Sequence, residues 1–319
     1  MSLIGITGAA GFIGRAVRAQ LETAGDRLIL VDDLTGPVSA VEPGVDLLRA
    51  DFASERALHR LADADAILHL AAVSGVVACA QDPEGSRRSN VEGTERLARM
   101  CRERKIPLAF ASSCSVVGRP EQLPIVESTP ARPTHEYARQ KADGERIVEA
   151  NREDSVPSLS LRMSNLYGAY RYADRWVTKG NVLTLFLRQA REGVLRVNAP
   201  GTQRRDFIHI EDVARAWAVT AHRLAGRTGP VGLERLLLAS GESCSVLELA
   251  EMVRRIHRSI EPDRPPITIR TVPNPRGEIE LLDERFETDP SRTWAWLGFR
   301  PAHHLADEIQ ERLRSPVPE

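Results

Sequence analysis

Lysine is nearly missing from this chain. Lysine and arginine together number 43, yet only Lys105, Lys141 and Lys179 are lysines. Basic and acidic residues all but cancel, leaving a net charge of −1 and a pI near 6.7. No charge of one sign is available to hold a nucleic acid or an anionic membrane, so both are excluded as partners. The four cysteines, Cys79, Cys101, Cys114 and Cys244, form no C-x-x-C pair and no metal-ligand spacing. No metal site is expected from them, and a reduced, cytoplasmic protein is. Long apolar runs are also missing. The least polar stretch, residues 64–80, is broken by Asp65, His69 and Ser74 and falls short of a membrane span. The first residues, M-S-L-I-G-I-T-G, lack the basic start and cleavage-like site of a leader.

What remains has an ordinary balance, 42% hydrophobic and 27% charged over 319 residues, enough to bury one large core or two coupled ones. Short apolar runs at 3–7, 27–31, 45–50, 66–70, 107–111 and 158–162 read as strands, and 13–24, 54–62, 86–104 and 136–151 between them as helices. This alternation predicts an α/β fold, a doubly wound parallel sheet with helices on both faces. After Gly168 the rhythm breaks. A helix over about 181–192, a short strand, F-I-H-I, a helix from Asp212 and a strand over 233–239 follow, then a Pro-rich tract at 262–275 and short helices near 289–297 and 303–314. The chain is expected to leave the sheet, return and leave again, so that a smaller C-terminal α/β domain is interwoven with the larger one. The larger would span residues 1–168 plus about 207–243, and the smaller about 169–206 plus 244–319.

The first strand runs into T-G-A-A-G-F-I-G, with Gly8, Gly11 and Gly14 opening a helix. Glycine allows the tight turn and lets a pyrophosphate approach backbone N–H groups at a helix N-terminus. A glycine triplet alone is a weak signal. Here a strand precedes it, a helix follows, and Asp32 ends the second strand 18 residues beyond Gly14, the arrangement that places a carboxylate on an adenosine ribose. Asp32 would repel a 2′-phosphate, and V-D-D-L-T-G supplies no arginine at once, so NAD is favoured over NADP.

The stretch T-H-E-Y-A-R-Q-K at 134–141 places a rare lysine four residues after one of only four tyrosines. On a helix the two share a face, and a nearby ammonium would lower the pKa of the Tyr137 phenol and make it a usable acid and base. By themselves these eight residues fit a solvated helix with an incidental pair equally well.

Together with these, A-D-F at 50–52, H-L-A-A at 69–72, N-V-E-G-T at 90–94, A-S-S-C-S-V-V-G at 111–118, R-M-S-N-L-Y-G at 162–168, R-D-F-I-H-I-E-D-V-A at 205–214 and L-G-F-R-P at 297–301 resemble the extended short-chain dehydrogenase/reductases. Within them the likeness is to the NAD-dependent nucleotide-sugar epimerase/dehydratase group, and it runs over nearly the whole chain. The resemblance implies a Rossmann-like NAD-binding domain and a nucleotide-sugar-binding domain. It implies a catalytic Ser113, Tyr137 as base and acid, and Lys141 on the nicotinamide ribose. Cofactor contacts would come from Gly8, Gly11, Phe12, Ile13, Gly14, Asp32, Asp51 (toward the adenine amino group), Phe52, Leu70, Ala71, Ala72, Asn90, Tyr137 and Lys141. Ser113, Asn165, Arg205 and Arg276 would bind the substrate. Pairing of the 86–104 helix with the Tyr137 helix across a homodimer is implied too, although Leu97, Met100 and Cys101 on the former are most simply core.

Three departures bear on the reaction. Val117 replaces the tyrosine of the family's V-Y-G. Arg276 sits in N-P-R-G-E next to Gly277 rather than two before it, which shifts a second phosphate clamp. Cys114 follows the catalytic serine and is favoured as a small buried filler. The family's 4,6-dehydratases carry an Asp-Glu pair where Cys114-Ser115 stands, and its decarboxylases a glutamate where Ser115 stands. The expectation is therefore a nucleotide-sugar 4-epimerase acting by transient C4 oxidation, ketose rotation and re-reduction, most simply on a UDP-sugar. A 4-ketoreductase and a non-catalytic dinucleotide sensor are the alternatives. His135 reads as a helix-start residue, His209 as a packed histidine, and His303-His304 as lacking acidic companions at metal spacing. Lys179 reads either as an exposed loop lysine or as a partner for a uronic acid carboxylate.

Overall fold

The structure, a computed structural model, describes residues 1–36, 41, 44–152, 156–172, 175–228, 235–274 and 286–315. Arg276 lies outside the described residues. Strands β1 (Leu3–Thr7), β2 (Arg27–Asp32), β3 (Leu47–Arg49), β4 (Ala66–His69), β5 (Leu108–Ser113) and β6 (Ser158–Met163) alternate with helices α1 (Phe12–Thr23), α2 (Glu55–Leu61), α3 (Val76–Gln81), α4 (Pro83–Arg87), α5 (Thr94–Arg104) and α6 (Glu136–Ala150). Then follow β7 (Asn165–Tyr167), β8 (Ala169–Tyr172), β9 (Arg175–Thr178), α7 (Val182–Arg191), β10 (Val194–Asn198), β11 (Arg204–His209), α8 (Ile210–Ala225), β12 (Arg235–Leu238), β13 (Ser243–Ser245), α9 (Val246–Ile260), β14 (Thr268–Val272), α10 (Ser291–Leu297) and α11 (Leu305–Arg314).

Seven strands form one sheet in the order β12-β6-β5-β4-β1-β2-β3, all parallel. Successive residues of each strand feed opposite cores. Ile4, Ile6, Leu30 and Leu68 pack on the side that α1 and α8 cover, whereas Ile29, Val31, Ile67 and Phe110 pack on the other. Burial on both faces explains why these strands read as unbroken apolar runs. The chain reverses its direction of travel across the sheet between β1 and β4, which opens a crevice beyond their C-terminal ends. β12 rejoins the sheet late, as expected. The remaining strands make a parallel β10-β14 pair, a β13-β11-β7 sheet and a β8-β9 hairpin. A separate core that includes Tyr167, Phe186, Leu195, Leu249, Val253 and Ile309 sits beside them. This is the smaller, interwoven α/β layer.

Four local outcomes differ from expectation. The 86–104 helix is broken: α4 is followed by a π-helical turn over Arg88–Gly93 before α5 begins. The wide turn coincides with two inward demands, the buried Asn90 and Gly93, where an added Cβ would lie 2.8 Å from the Phe52 ring. The strand expected at 45–50 shrinks to Leu47–Arg49. The α8 helix starts at Ile210 rather than Asp212, with the His209 ring capping its N-terminus. Helix α9, 15 residues long, has no counterpart in the sequence reading, although Ser245 and Glu248 form a capping box that marks its start.

Candidate active site

The glycine loop fits a dinucleotide through its backbone. Gly8 lies at φ +71°, and a Cβ there would sit 2.6 Å from the amide nitrogen of Ala71. A Cβ on Gly14 would collide with the carbonyl oxygen of Gly8. The loop thus lies flat against the Leu70–Ala72 segment, and α1 begins at an N-cap, Gly11, that has no side chain to occupy the helix's free N–H groups. Phe12 and Ile13 are half-buried in its first turn. Asp32 closes the crevice, its carboxylate accepting from the Ala10 N–H at 2.9 Å and the Leu34 N–H at 2.8 Å. Asp51 is exposed at the rim and accepts from the Ala53 N–H at 2.8 Å. Phe52 is different. Its ring is buried, 4.7 Å from the His69 ring, so only its backbone is available to a cofactor. Asn90 works from behind: its amide brackets Val73, accepting from the N–H at 2.8 Å and donating to the C=O at 2.9 Å, and donates to Gln140 at 2.7 Å. It ties the Leu70–Val73 segment to the Tyr137 helix.

Ser113 ends β5, and Tyr137 stands in the first turn of α6, whose N-cap is His135. Both line one cavity. The Ser113 hydroxyl accepts from the Ser115 N–H at 3.2 Å, which leaves its own proton free to donate. Ser74, which carried no sequence signal, lies against the Tyr137 phenol with Ser113, and both hydroxyls favour its ionised form. Lys141 is buried one turn further on, donating to the Ala111 carbonyl at 2.7 Å, with Nζ 4.8 Å from the Phe110 ring centroid and 5.9 Å from that of Tyr137.

The expected acidification of the phenol is not met. Burial raises the Tyr137 pKa above its usual value, and the Ser74 and Ser113 hydroxyls only partly oppose this. Lys141 itself is pulled down to about 8, chiefly by burial. Its ammonium is spent on the Ala111 carbonyl and an aromatic face rather than aimed at the phenol. His69, enclosed between Thr7 and Thr94, is depressed to about 3 by burial and stays neutral.

The cavity has a volume of about 680 Å³. From the expected set it gathers Ile13, Ser113, Tyr137, Asn165, Arg205 and Lys179. It also takes in Ser164 and Gln203, and Arg188, Arg196 and Asn198, which α7 and β10 bring over from the smaller layer; sequence reading missed all five. Four of the lining residues are cations, and no aspartate or glutamate stands among the described residues that line it. Asn165 donates to the Asp206 carbonyl at 3.2 Å, and Arg205 to the Arg204 carbonyl at 2.6 Å. The carbonyl oxygen of the buried Gln203 amide has no partner in the described protein, an acceptor left for a ligand's donor. Val117 is fully buried away from the cavity, and Cys114 is a filler whose thiol bonds the Arg162 carbonyl at 3.6 Å.

His303 does have acidic companions, contrary to the sequence reading. Its ring nitrogens lie 3.2 Å from Glu211 and 3.1 Å from Asp212, residues some ninety positions away in the chain. The ring stacks on His209 at 4.2 Å. Both His303 nitrogens are engaged by carboxylates. The arrangement is an imidazolium clamp that fastens the start of α8 to the segment before α11. The two carboxylates raise the His303 pKa from 6.5 to about 10. The clamp's contribution is therefore fully present below about pH 6.5 and is lost as pH rises through about 10. His303→Gln is expected to cost at most about 1 kcal/mol, because the site is part-exposed and screened. Thermal melts across pH should show the gap from the parent closing as pH climbs toward 10; a gap independent of pH would refute the ionic reading.

A parallel sheet with a nucleotide crevice at its switch point and a Ser–Tyr pair facing a cationic cavity defines a dinucleotide-dependent enzyme of the short-chain dehydrogenase type. The chain belongs to the NAD dependent epimerase/dehydratase family, whose pattern it matches over residues 4–231, and its cofactor is NAD. It is similar to a UDP-glucose 4-epimerase of Streptomyces lividans, 32% identical over 79% of this chain and 80% of that protein. It is also similar to a dTDP-glucose 4,6-dehydratase of Mycobacterium tuberculosis, 28% identical over 98% of this chain and 91% of the relative. Among solved structures, TunA, described as an NAD dependent-NDP-hexosamine 5,6-dehydratase, superimposes with a TM-score of 0.79 at 26% identity, covering 98% of this chain and 97% of its own. No helix among the described residues is long and apolar enough to cross a membrane.

Proposed function

We propose that the protein is a nucleotide-sugar 4-epimerase acting on a UDP-sugar. When bound in the Gly8–Gly14 crevice, NAD supplies the oxidising and reducing equivalents at the sugar carbon. The remaining work falls to protein side chains. Tyr137 takes the proton of the C4 hydroxyl in the outward half-reaction and returns it in the second. Ser113 donates its free hydroxyl proton to the same sugar oxygen and so orients it. Lys141, held by the Ala111 carbonyl, keeps two further N–H donors for the ribose beside the phenol. Asn165 and Arg205, with Arg276 expected to join them, grip the diphosphate, for which the arginine fork is suited. The sugar itself is held loosely enough to present either face.

The observation that favours epimerisation over dehydration is the absence of any carboxylate among the described residues lining the cavity. Loss of water needs an acid and a base placed at carbons beyond C4, and Cys114-Ser115 stand where the related dehydratases carry theirs. In this reading the larger sheet layer, residues 1–168 plus about 207–243, binds NAD, and the smaller layer binds the nucleotide. A homodimer through α5 and α6 belongs to it too, and would oblige the exposed Arg96 and Arg99 to find acidic partners across the interface. A panel of UDP-, dTDP-, GDP- and CDP-sugars, followed by NMR, tests the reading. The expected result is a C4-epimeric mixture from UDP-sugars with no net reduced cofactor. A 4-keto-6-deoxy product would establish a dehydratase instead, and steady consumption of added NAD(P)H a ketoreductase.

A further inference from the structure

Among its described lining residues the cavity carries more positive charge than a nucleotide diphosphate needs. Lys179, Arg188, Arg196 and Arg205 all line it, while a diphosphate linking a nucleoside to a sugar carries one negative charge on each phosphate. Arg196 is offset by Glu192, which lies 3.0 Å away at the rim. Lys179 has no such offset: its side chain makes no hydrogen bond or ion pair with any described residue. Lys179 is exposed as a whole and opens onto the cavity it lines.

Lys179 is also set apart from the arginines by where it sits. Its carbonyl accepts from the Thr184 hydroxyl at 3.0 Å, which anchors the residue at the mouth of α7. Two residues on, the Asn181 amide donates to the Leu166 carbonyl at 2.9 Å. Leu166 lies three residues beyond Met163, which is in register with Ser113 across β5 and β6. Lys179 is therefore tied to the end of the cavity that holds Ser113 and Tyr137. Arg188 stands in the last turn of α7 and Arg196 on β10, both further along the chain from that anchor.

An ammonium that lines a cavity with no carboxylate among its described residues, and has no ionic partner among them, is a place for an anionic group of the ligand. We propose that the sugar accepted here is acidic, a hexuronate, and that Lys179 receives its carboxylate while the arginines serve the nucleotide end. This rests on the nucleotide-sugar reading above and narrows its substrate class. An ammonium is a compact point charge that suits a carboxylate on a sugar free to turn, because it makes no demand for one planar orientation.

Calorimetry on the full NAD-loaded chain separates this proposal from the reading beneath it, because binding is measured without turnover. UDP-glucuronate should bind about tenfold more tightly than UDP-glucose. Lys179→Gln should abolish that preference, weakening UDP-glucuronate about tenfold and leaving UDP-glucose nearly unchanged; Lys179→Arg should restore part of it. If UDP and UDP-glucose bind but the uronate has no advantage, or if Lys179→Gln weakens both sugars alike, the acidic-sugar proposal fails and the epimerase reading stands. Failure of UDP itself to bind would overturn both.

Discussion

Tyr137→Phe is expected to lower kcat about a thousandfold while leaving NAD affinity nearly unchanged, in line with the 10²- to 10⁴-fold typical of a positioned acid–base group. The ring would remain stacked at 6.2 Å on His135, so the helix start and the cofactor crevice should keep their shape. The size of the effect follows from what else lines the cavity. Histidine, aspartate and glutamate are absent from its described lining, so no described lining residue of those types can take over proton transfer. The other nearby tyrosines are committed elsewhere, Tyr167 donating to the His303 carbonyl at 3.1 Å and Tyr170 to the Phe12 carbonyl at 2.7 Å. Steady-state rates paired with NAD titration check this. Activity within about tenfold of the parent would mean that Tyr137 is not the proton-transfer group.

The largest expected loss of stability comes from Glu145→Ala. Arg162 and Glu145 form a buried pair, with side chains 0% and 2% exposed. One Glu145 oxygen accepts from Arg162 Nε at 2.8 Å and from the Ser112 hydroxyl at 2.6 Å. The other accepts from a second Arg162 nitrogen at 2.7 Å, with Arg235 Nε 3.2 Å away. Removing the carboxylate strands a guanidinium in the core, which costs about 3–5 kcal/mol. The damage should reach function as well, because Ser112 precedes Ser113 on β5. Glu149 provides the control: it is 39% exposed and pairs with Arg235, so Glu149→Ala should cost no more than about 1 kcal/mol. Urea denaturation of the two variants side by side decides the matter. Equal midpoints would show that the buried network contributes nothing special.

The parallel sheet was legible because its strands are buried on both faces and read as apolar runs, and because glycines and Asp32 punctuate the first unit where a nucleotide crevice requires them. The elements that escaped notice did so for physical reasons. The six-residue α3 has no side-chain N-cap and starts from Gly75 at φ +109°. β14 lies next to prolines that mask it. The α9 helix did carry a signal, Ser245 with Glu248 and apolar residues at Val246, Leu249, Ala250 and Val253, but the Pro-rich tract that follows it obscured its extent. At the site, the Tyr–Lys spacing was visible, whereas the environment that sets their pKa values was not. Burial under β5 raises the phenol and lowers the ammonium, and no local pattern encodes burial. Arg188 and Arg196 likewise become cavity residues only when α7 and β10 fold over the sheet's edge, and His303 meets Asp212 across ninety residues of intervening chain.

The most direct test is to follow a UDP-sugar bearing deuterium at C4 through turnover by the NAD-loaded enzyme, using NMR and mass spectrometry. Epimerisation without dissociation of the reduced cofactor should give the C4 epimer with the label retained at C4, no loss of water and no build-up of free NADH. Deuterium appearing elsewhere on the sugar, or an unsaturated or 6-deoxy-4-keto product, would contradict the assignment.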